Sequence, residues 1–135
     1  MNTFKTQVRL AKDVKLPIIF HSNSARLETL EILKQEGASN VGGAIHGFNG
    51  DMVFAEECIS LGFYISFGRT IITPDNVLLH NVVKEVPLEK LLIETDGGEP
   101  SDVKDVAKKV AELKGISLEE VGHKTTSNLK TLLGI

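Results

Sequence analysis

Four short apolar runs in this chain lead into side chains capable of acid, base or metal chemistry. Leu16 to Phe20 ends in His21, Val41 to Ile45 ends in His46, and Leu91 to Ile93 runs into Glu94 and Asp96. The remaining run, Phe63 to Phe67, carries Ser66 and, just beyond, Arg69. Successive separations from His21 to His46, Ser66 and Asp96 are 25, 20 and 30 residues, each the length of one strand-helix unit. Two imidazoles and a carboxylate converging on one rim suit a borderline divalent ion such as Zn²⁺, and also Mn²⁺ or, less well, Mg²⁺. Two-residue alternation along a strand puts Glu94 on the same face as Asp96, where it could orient a ligand. A single histidine after an apolar run is more often a core or capping residue. Three ligand types at the ends of such runs make the metal reading the stronger one. His80 and His123 sit in helical segments amid polar neighbours and read as solvated, while Cys58 falls on an apolar helix face and reads as inert packing. Arg69 reads equally as a phosphate contact or a solvated surface residue.

The elements that must position these groups repeat one pattern. An amphipathic helix around Phe4, Val8 and Ala11 precedes the strand Leu16 to His21. Asn23 or Ser24 can cap a helix with Leu27, Leu30 and Leu33 on one face, stopped by Gly37. The strand Val41 to His46 leads through a glycine turn to a helix bearing Phe54, Cys58 and Leu61, ended by Gly62. Phe63 to Phe67 is the third strand. Thr73-Pro74-Asp75 then starts a helix with Leu78, Val82 and Val86 on its apolar face. After the strand Leu91 to Asp96, Gly97 to Pro100 turn into a helix with Val103, Val106, Ala107 and Val110 inward, closed by Gly115. A capping-box spacing, Ser117 to Glu120, opens a short helix, and Thr125 to Leu133 forms a last one. Gly42-Gly43 and Gly47-x2-Gly50 have no phosphate-loop spacing and read as turn glycines. Nearly continuous apolar strands alternating with helices predict an α/β fold with a parallel sheet, whose strand ends share one ligand-binding face.

Composition bounds the rest. The 135 residues allow one domain, 1–135, and are too few for a complete (β/α)8 barrel, which needs roughly 200 or more. A 41% apolar and 24% charged content fits a soluble globular chain, and no apolar run approaches the ~20 residues of a membrane helix. No secretory pattern opens the chain, and the lone cysteine precludes an internal disulfide, so a reducing, cytoplasmic setting is expected. A net charge of −3 without basic clusters means that an anionic substrate must be held locally, for instance through metal.

With these residues in view, the chain resembles the TatD family of metal-dependent deoxyribonucleases. The resemblance is carried by Leu16-Pro17-Ile18-Ile19-Phe20-His21-Ser22, Ile45-His46-Gly47-Phe48-Asn49-Gly50, Gly62-Phe63-Tyr64-Ile65-Ser66-Phe67 and Leu91-Leu92-Ile93-Glu94-Thr95-Asp96, with Val106 to Leu133, including Asn128, similar to the family's closing helices. It implies part of a TIM-type barrel, one or two divalent ions, and cleavage of DNA or another phosphodiester by a metal-activated water. On the matching positions His21, His46 and Asp96 would be metal ligands, and Asp96 and Glu94 would serve catalysis. Asn23 stands where family members usually carry Arg, and with Arg69 it is a candidate substrate contact. The loop after Asp96 is shortened to Gly97-Gly98-Glu99-Pro100. The family's His-x-His pair and bridging Glu belong to barrel strands that precede this chain's first.

A half barrel leaves two apolar strand edges open, near Leu16 to Phe20 and Leu91 to Ile93. The chain could therefore be part of a longer product, pair with itself or with a separate amino-terminal half barrel, or serve as a non-catalytic metal-binding or interaction module. If the metal reading holds, a joint His21→Ala/His46→Ala change weakens Zn²⁺ or Mn²⁺ binding in calorimetric titration, and acid releases the ion because a protonated imidazole cannot coordinate. Equal affinity for parent and variant refutes it.

Overall fold

The computed structural model describes residues 2–21, 26–95, 97 and 99–135. Helix α1 (Asn2–Val14) leads to strand β1 (Ile18–Phe20), followed by α2 (Arg26–Gln35), β2 (Gly43–Ile45), α3 (Met52–Ser60), β3 (Phe63–Phe67), α4 (Val77–Glu85), β4 (Leu91–Ile93), α5 (Val103–Lys114) and α6 (Leu118–Leu133). The four strands pair in chain order, all parallel, which is the topology expected from sequence. Ile18 aligns with Gly43 and Phe63, and Ile65 with Leu91.

Alternation along these strands sorts the side chains into two sets. Ile18, Phe20, Ile45, Phe63, Ile65, Phe67, Leu91 and Ile93 face the helices and join the main core with Val8, Leu33, Cys58, Val82, Val106 and Val110. Aromatic contacts run through it, with Phe4, Phe20 and Phe63 in sequence at 5.5 Å between ring centroids. The opposite, concave face carries Ala44, Tyr64 and Leu92, against which Leu132 of α6 packs.

Several local expectations are corrected. In α2, Leu30 and Leu33 are buried but Leu27 is 83% exposed, because the buried stripe runs through Thr29, Leu30, Ile32 and Leu33. In α4 the helix starts at Val77 after Asn76, so Pro74 lies outside it, and Leu79, His80, Val82 and Val83 face inward while Leu78 is 65% exposed. Of the expected face, Val82 and Val86 are buried and Leu78 alone is not. His80 is accordingly buried, with Nε2 2.7 Å from the Ile71 carbonyl, where a solvated residue was expected. The two closing helices are one continuous helix, α6, whose Ser117 cap accepts from Glu120 N as the spacing predicts. Cys58 is buried as expected, and loss of hydration pushes its thiol up to about 12, with Glu57 adding to the rise.

Gly43 belongs to β2, as the expected strand Val41 to His46 has it, and is not a turn glycine. Its φ is +153°, and a Cβ there would lie 1.8 Å from the Ile18 carbonyl oxygen, so β1 and β2 can approach only over a bare backbone. At the other side of the sheet, Glu94 N donates to Phe67 O, so the peptide groups of Leu91 and Ile93 face away from β3. Asn128 Nδ2 donates to the carbonyls of Leu88 and Leu91, each at 2.8 Å, fastening α6 to this free edge.

Asn128→Ala takes the side-chain donor from the Leu91 carbonyl, while Leu88 O keeps Leu91 N, and is expected to cost about 1–3 kcal/mol in denaturant unfolding. Gly43→Ala is expected to cost about 3–5 kcal/mol or prevent folding. Cys58 should resist thiol reagents in the native state and react after denaturation.

Candidate metal centre

The concave face ends at a rim. Above Ile19, Ala44 and Leu92 on their own strands come His21, His46 and Glu94, with Ser66 above Tyr64 on β3. The backbone bond from His46 N to Phe20 O at 2.8 Å continues the sheet by one residue and brings the ends of β1 and β2 together. The two imidazole rings lie 5.5 Å apart between centroids, inclined at 56°. His21 Nδ1 is 3.1 Å from the His46 carbonyl oxygen. A carbonyl only accepts, so Nδ1 carries the proton and Nε2 of the neutral ring holds the lone pair. His46 Nδ1 lies 2.9 Å from Glu94 Oε1, a close approach without hydrogen-bond alignment. Imidazoles that bind metal characteristically have their other nitrogen fixed by a carbonyl or carboxylate, as His21 has.

Glu94 is the hinge of the cluster. Its Oε2 accepts from Ser66 Oγ at 2.5 Å, whereas Oε1 is buried and accepts no well-aligned hydrogen bond. An unsatisfied buried carboxylate oxygen beside two imidazoles is costly unless a cation or donor completes it. Space for the carboxylate comes from glycines: a Cβ on Gly68 would meet Glu94 Oε1 at 3.4 Å, and one on Gly47 would meet both the His21 ring at 3.3 Å and Glu94 Oε1 at 3.6 Å. Sequence reading placed Ser66 at this strand end without giving it a partner, named Gly47 only as a turn glycine, and did not single out Gly68. The signal for Ser66 was a hydroxyl in an otherwise apolar strand.

Among the described residues no three His, Cys, Asp or Glu side chains form a complete metal-binding set. The donor chemistry nonetheless fits a divalent ion, with two imidazoles, that of His21 fixed through Nδ1, and an under-satisfied carboxylate oxygen on one rim. Asp96 and Asn23, the remaining sequence candidates, lie outside the described residues. Arg69 follows β3 in a short 3₁₀ turn, half-exposed, with Nη1 3.8 Å from Asp102 Oδ2, at the carboxyl end of the sheet rather than on its concave face. Arg26, not anticipated from sequence, donates to the Asn49 carbonyl and lies 5.8 Å from the Phe54 ring centre, bracing the loop after His46.

The model of the family described as TatD related DNase matches residues 1–134. The chain belongs to this family. A Bacillus subtilis relative, described as the uncharacterized metal-dependent hydrolase YabD, is 43% identical over 98% of this chain and 56% of its own length. Human deoxyribonuclease TATDN3 is 34% identical over 90% of this chain and 47% of its own. The crystal structure of the Escherichia coli TatD homologue YjjV superposes with a TM-score of 0.87 at 30% identity, covering 96% of this chain and 54% of that one. The fold is thus part of a TIM-type barrel, and the chain spans about half the length of the curated relatives it matches.

Glu94→Gln keeps the shape of the side chain but removes the charge beside His46, and should weaken Zn²⁺ binding about 10–100-fold in calorimetric titration. Ser66→Ala, which removes only the support of Oε2, should give a smaller loss.

Proposed function

We propose that this rim is the protein side of a divalent-metal centre for hydrolysing phosphodiester bonds, with DNA as the substrate class. The observation that carries the reading is the pair His21 and His46 beside the under-satisfied Oε1 of Glu94. The names of the relatives support it, since one is described as a deoxyribonuclease and others as metal-dependent hydrolases.

A bound divalent ion would supply charge to offset phosphate and acidify a water molecule. His21 and His46 would hold the ion through Nε2, with Asp96 as the third ligand. Glu94 lies against the His46 ring and is suited to accept a proton at Oε1, since Ser66 donates to Oε2. Arg69, at the carboxyl end of the sheet, and Asn23 are the proposed phosphate contacts. Metal rather than surface charge would bind the anion, consistent with a net charge of −3. None of the described helices is long and apolar enough to cross a membrane, and the cytoplasm is the compartment we propose.

A second reading, a metal-binding or interaction module without catalysis, draws on the open sheet edges and on the chain's span of half its relatives. The two separate on one assay. Divalent-dependent cleavage of a DNA oligonucleotide that is abolished by EDTA and by Asp96→Ala supports the nuclease. Metal binding without cleavage supports the module, and cleavage indifferent to EDTA refutes the metal centre.

A further inference from the structure

The 3₁₀ turn after β3, Arg69–Ile72, is tied down at three backbone carbonyls. Ile71 is fully buried, and its carbonyl accepts from Nε2 of His80, a buried side chain of α4, at 2.7 Å. A carbonyl only accepts, so Nε2 carries the proton. Asn76, just ahead of α4, donates from Nδ2 to the Thr70 carbonyl at 3.4 Å, and Ile71 N closes the turn on Gly68 O at 3.3 Å. The backbone that carries Arg69 is therefore fixed. Arg69 directly follows Gly68, where an added Cβ would stand 3.4 Å from Glu94 Oε1, so its Cα is beside the metal rim without belonging to it.

The direction of the Arg69 side chain has a separate cause. Among the described residues its ion-pair partner is Asp102, immediately before α5, whose Oδ2 lies 3.8 Å from Arg69 Nη1 and also accepts from Glu99 N at 3.1 Å. At 3.8 Å the pair is an electrostatic contact beyond hydrogen-bond reach, so Asp102 takes up none of the five N–H donors of the guanidinium. With the two side chains 52% and 31% exposed, such a pair adds little to stability. Its effect is on orientation: a carboxylate pinned by Glu99 N draws a flexible guanidinium to one side.

We propose that Asp102 is a positioning residue for Arg69, holding the guanidinium ready for the phosphate next to the scissile one in a DNA strand. The assignment rests on the phosphodiester reading given above and deepens it. A guanidinium fork matches the paired oxygens of a phosphate. Placed beside the rim, it acts on a second phosphate, so the favoured substrate is an oligonucleotide and not an isolated phosphodiester. His80 and Asn76 serve the same contact by keeping the turn in place.

Binding of a labelled single-stranded DNA oligonucleotide with zinc present, read by fluorescence anisotropy, tests the assignment. Arg69→Ala should weaken binding about tenfold and reduce the slope of log affinity against log salt by about 0.7, the loss of one phosphate contact. Asp102→Asn keeps an acceptor for Glu99 N and should leave the thermal midpoint unchanged. It should nonetheless weaken binding about threefold or more, although it removes a negative charge. Asp105→Asn removes the same charge from the exposed first turn of α5 and should not weaken binding. In the Arg69→Ala background Asp102→Asn should have no further effect, because Asp102 acts only through Arg69. Binding that Asp102→Asn leaves unchanged or tightens, or an equal loss in both backgrounds, overturns the positioning role. The phosphodiester reading is judged on the parent chain. An oligonucleotide bound without dependence on Arg69 keeps that reading and removes this contact, whereas a parent that binds no oligonucleotide refutes both.

Discussion

In a parallel strand, consecutive side chains take opposite faces and all carboxyl ends point the same way. Four strands of three to five residues therefore decide the whole arrangement of this protein. Their outward residues bind the helices into a core, and the residues between them are committed to the concave face. Once Ile18 and Phe20 are buried under α1, His21 has no freedom to face anywhere but the rim. The same holds for His46 beyond Ile45 and for Glu94 beyond Ile93. A one-residue slip in any strand would exchange a core aliphatic for a rim ligand, so packing energy, about 1.5–3 kcal/mol for each large apolar side chain, holds the chemistry in register.

Within that frame Glu94 has the most demanding position. It sits partly buried, 15% exposed, with Oε1 2.9 Å from His46 Nδ1. Ser66 steadies one oxygen, and Gly47 and Gly68 make room for the other. The site is thus a sum of one acidic group and three small or polar residues whose part is to leave space or to donate a single hydrogen bond.

Sequence revealed the strand order, the parallel sheet and the rim histidines because each depends on short-range alternation, which a few residues suffice to define. It misread the inward faces of α2 and α4, where apolar residues cover more than one side and only packing against the sheet selects Leu79 over Leu78. It missed the burial of His80, whose carbonyl partner is in the 3₁₀ turn after β3, a contact that no local pattern reports. It split α6 because Gly122 and two threonines weaken helix propensity, which the contacts of Val121, Thr125 and Asn128 override. The Ser66 to Glu94 bond joins positions 28 apart and depends on β3 and β4 being neighbours.

The fastening of β4 by Asn128 also sets an order of events. The first three strands meet partners that lie within a short stretch of chain, so their pairing incurs a small loop-closure cost and can proceed as the chain is made. The Leu91 carbonyl waits for a side chain 37 residues later, near the end of the last helix. During synthesis from the amino terminus the free edge of β4 consequently stays uncapped until almost the final turn of α6 has emerged, and the nascent chain is most prone to pairing with the wrong strand in that interval.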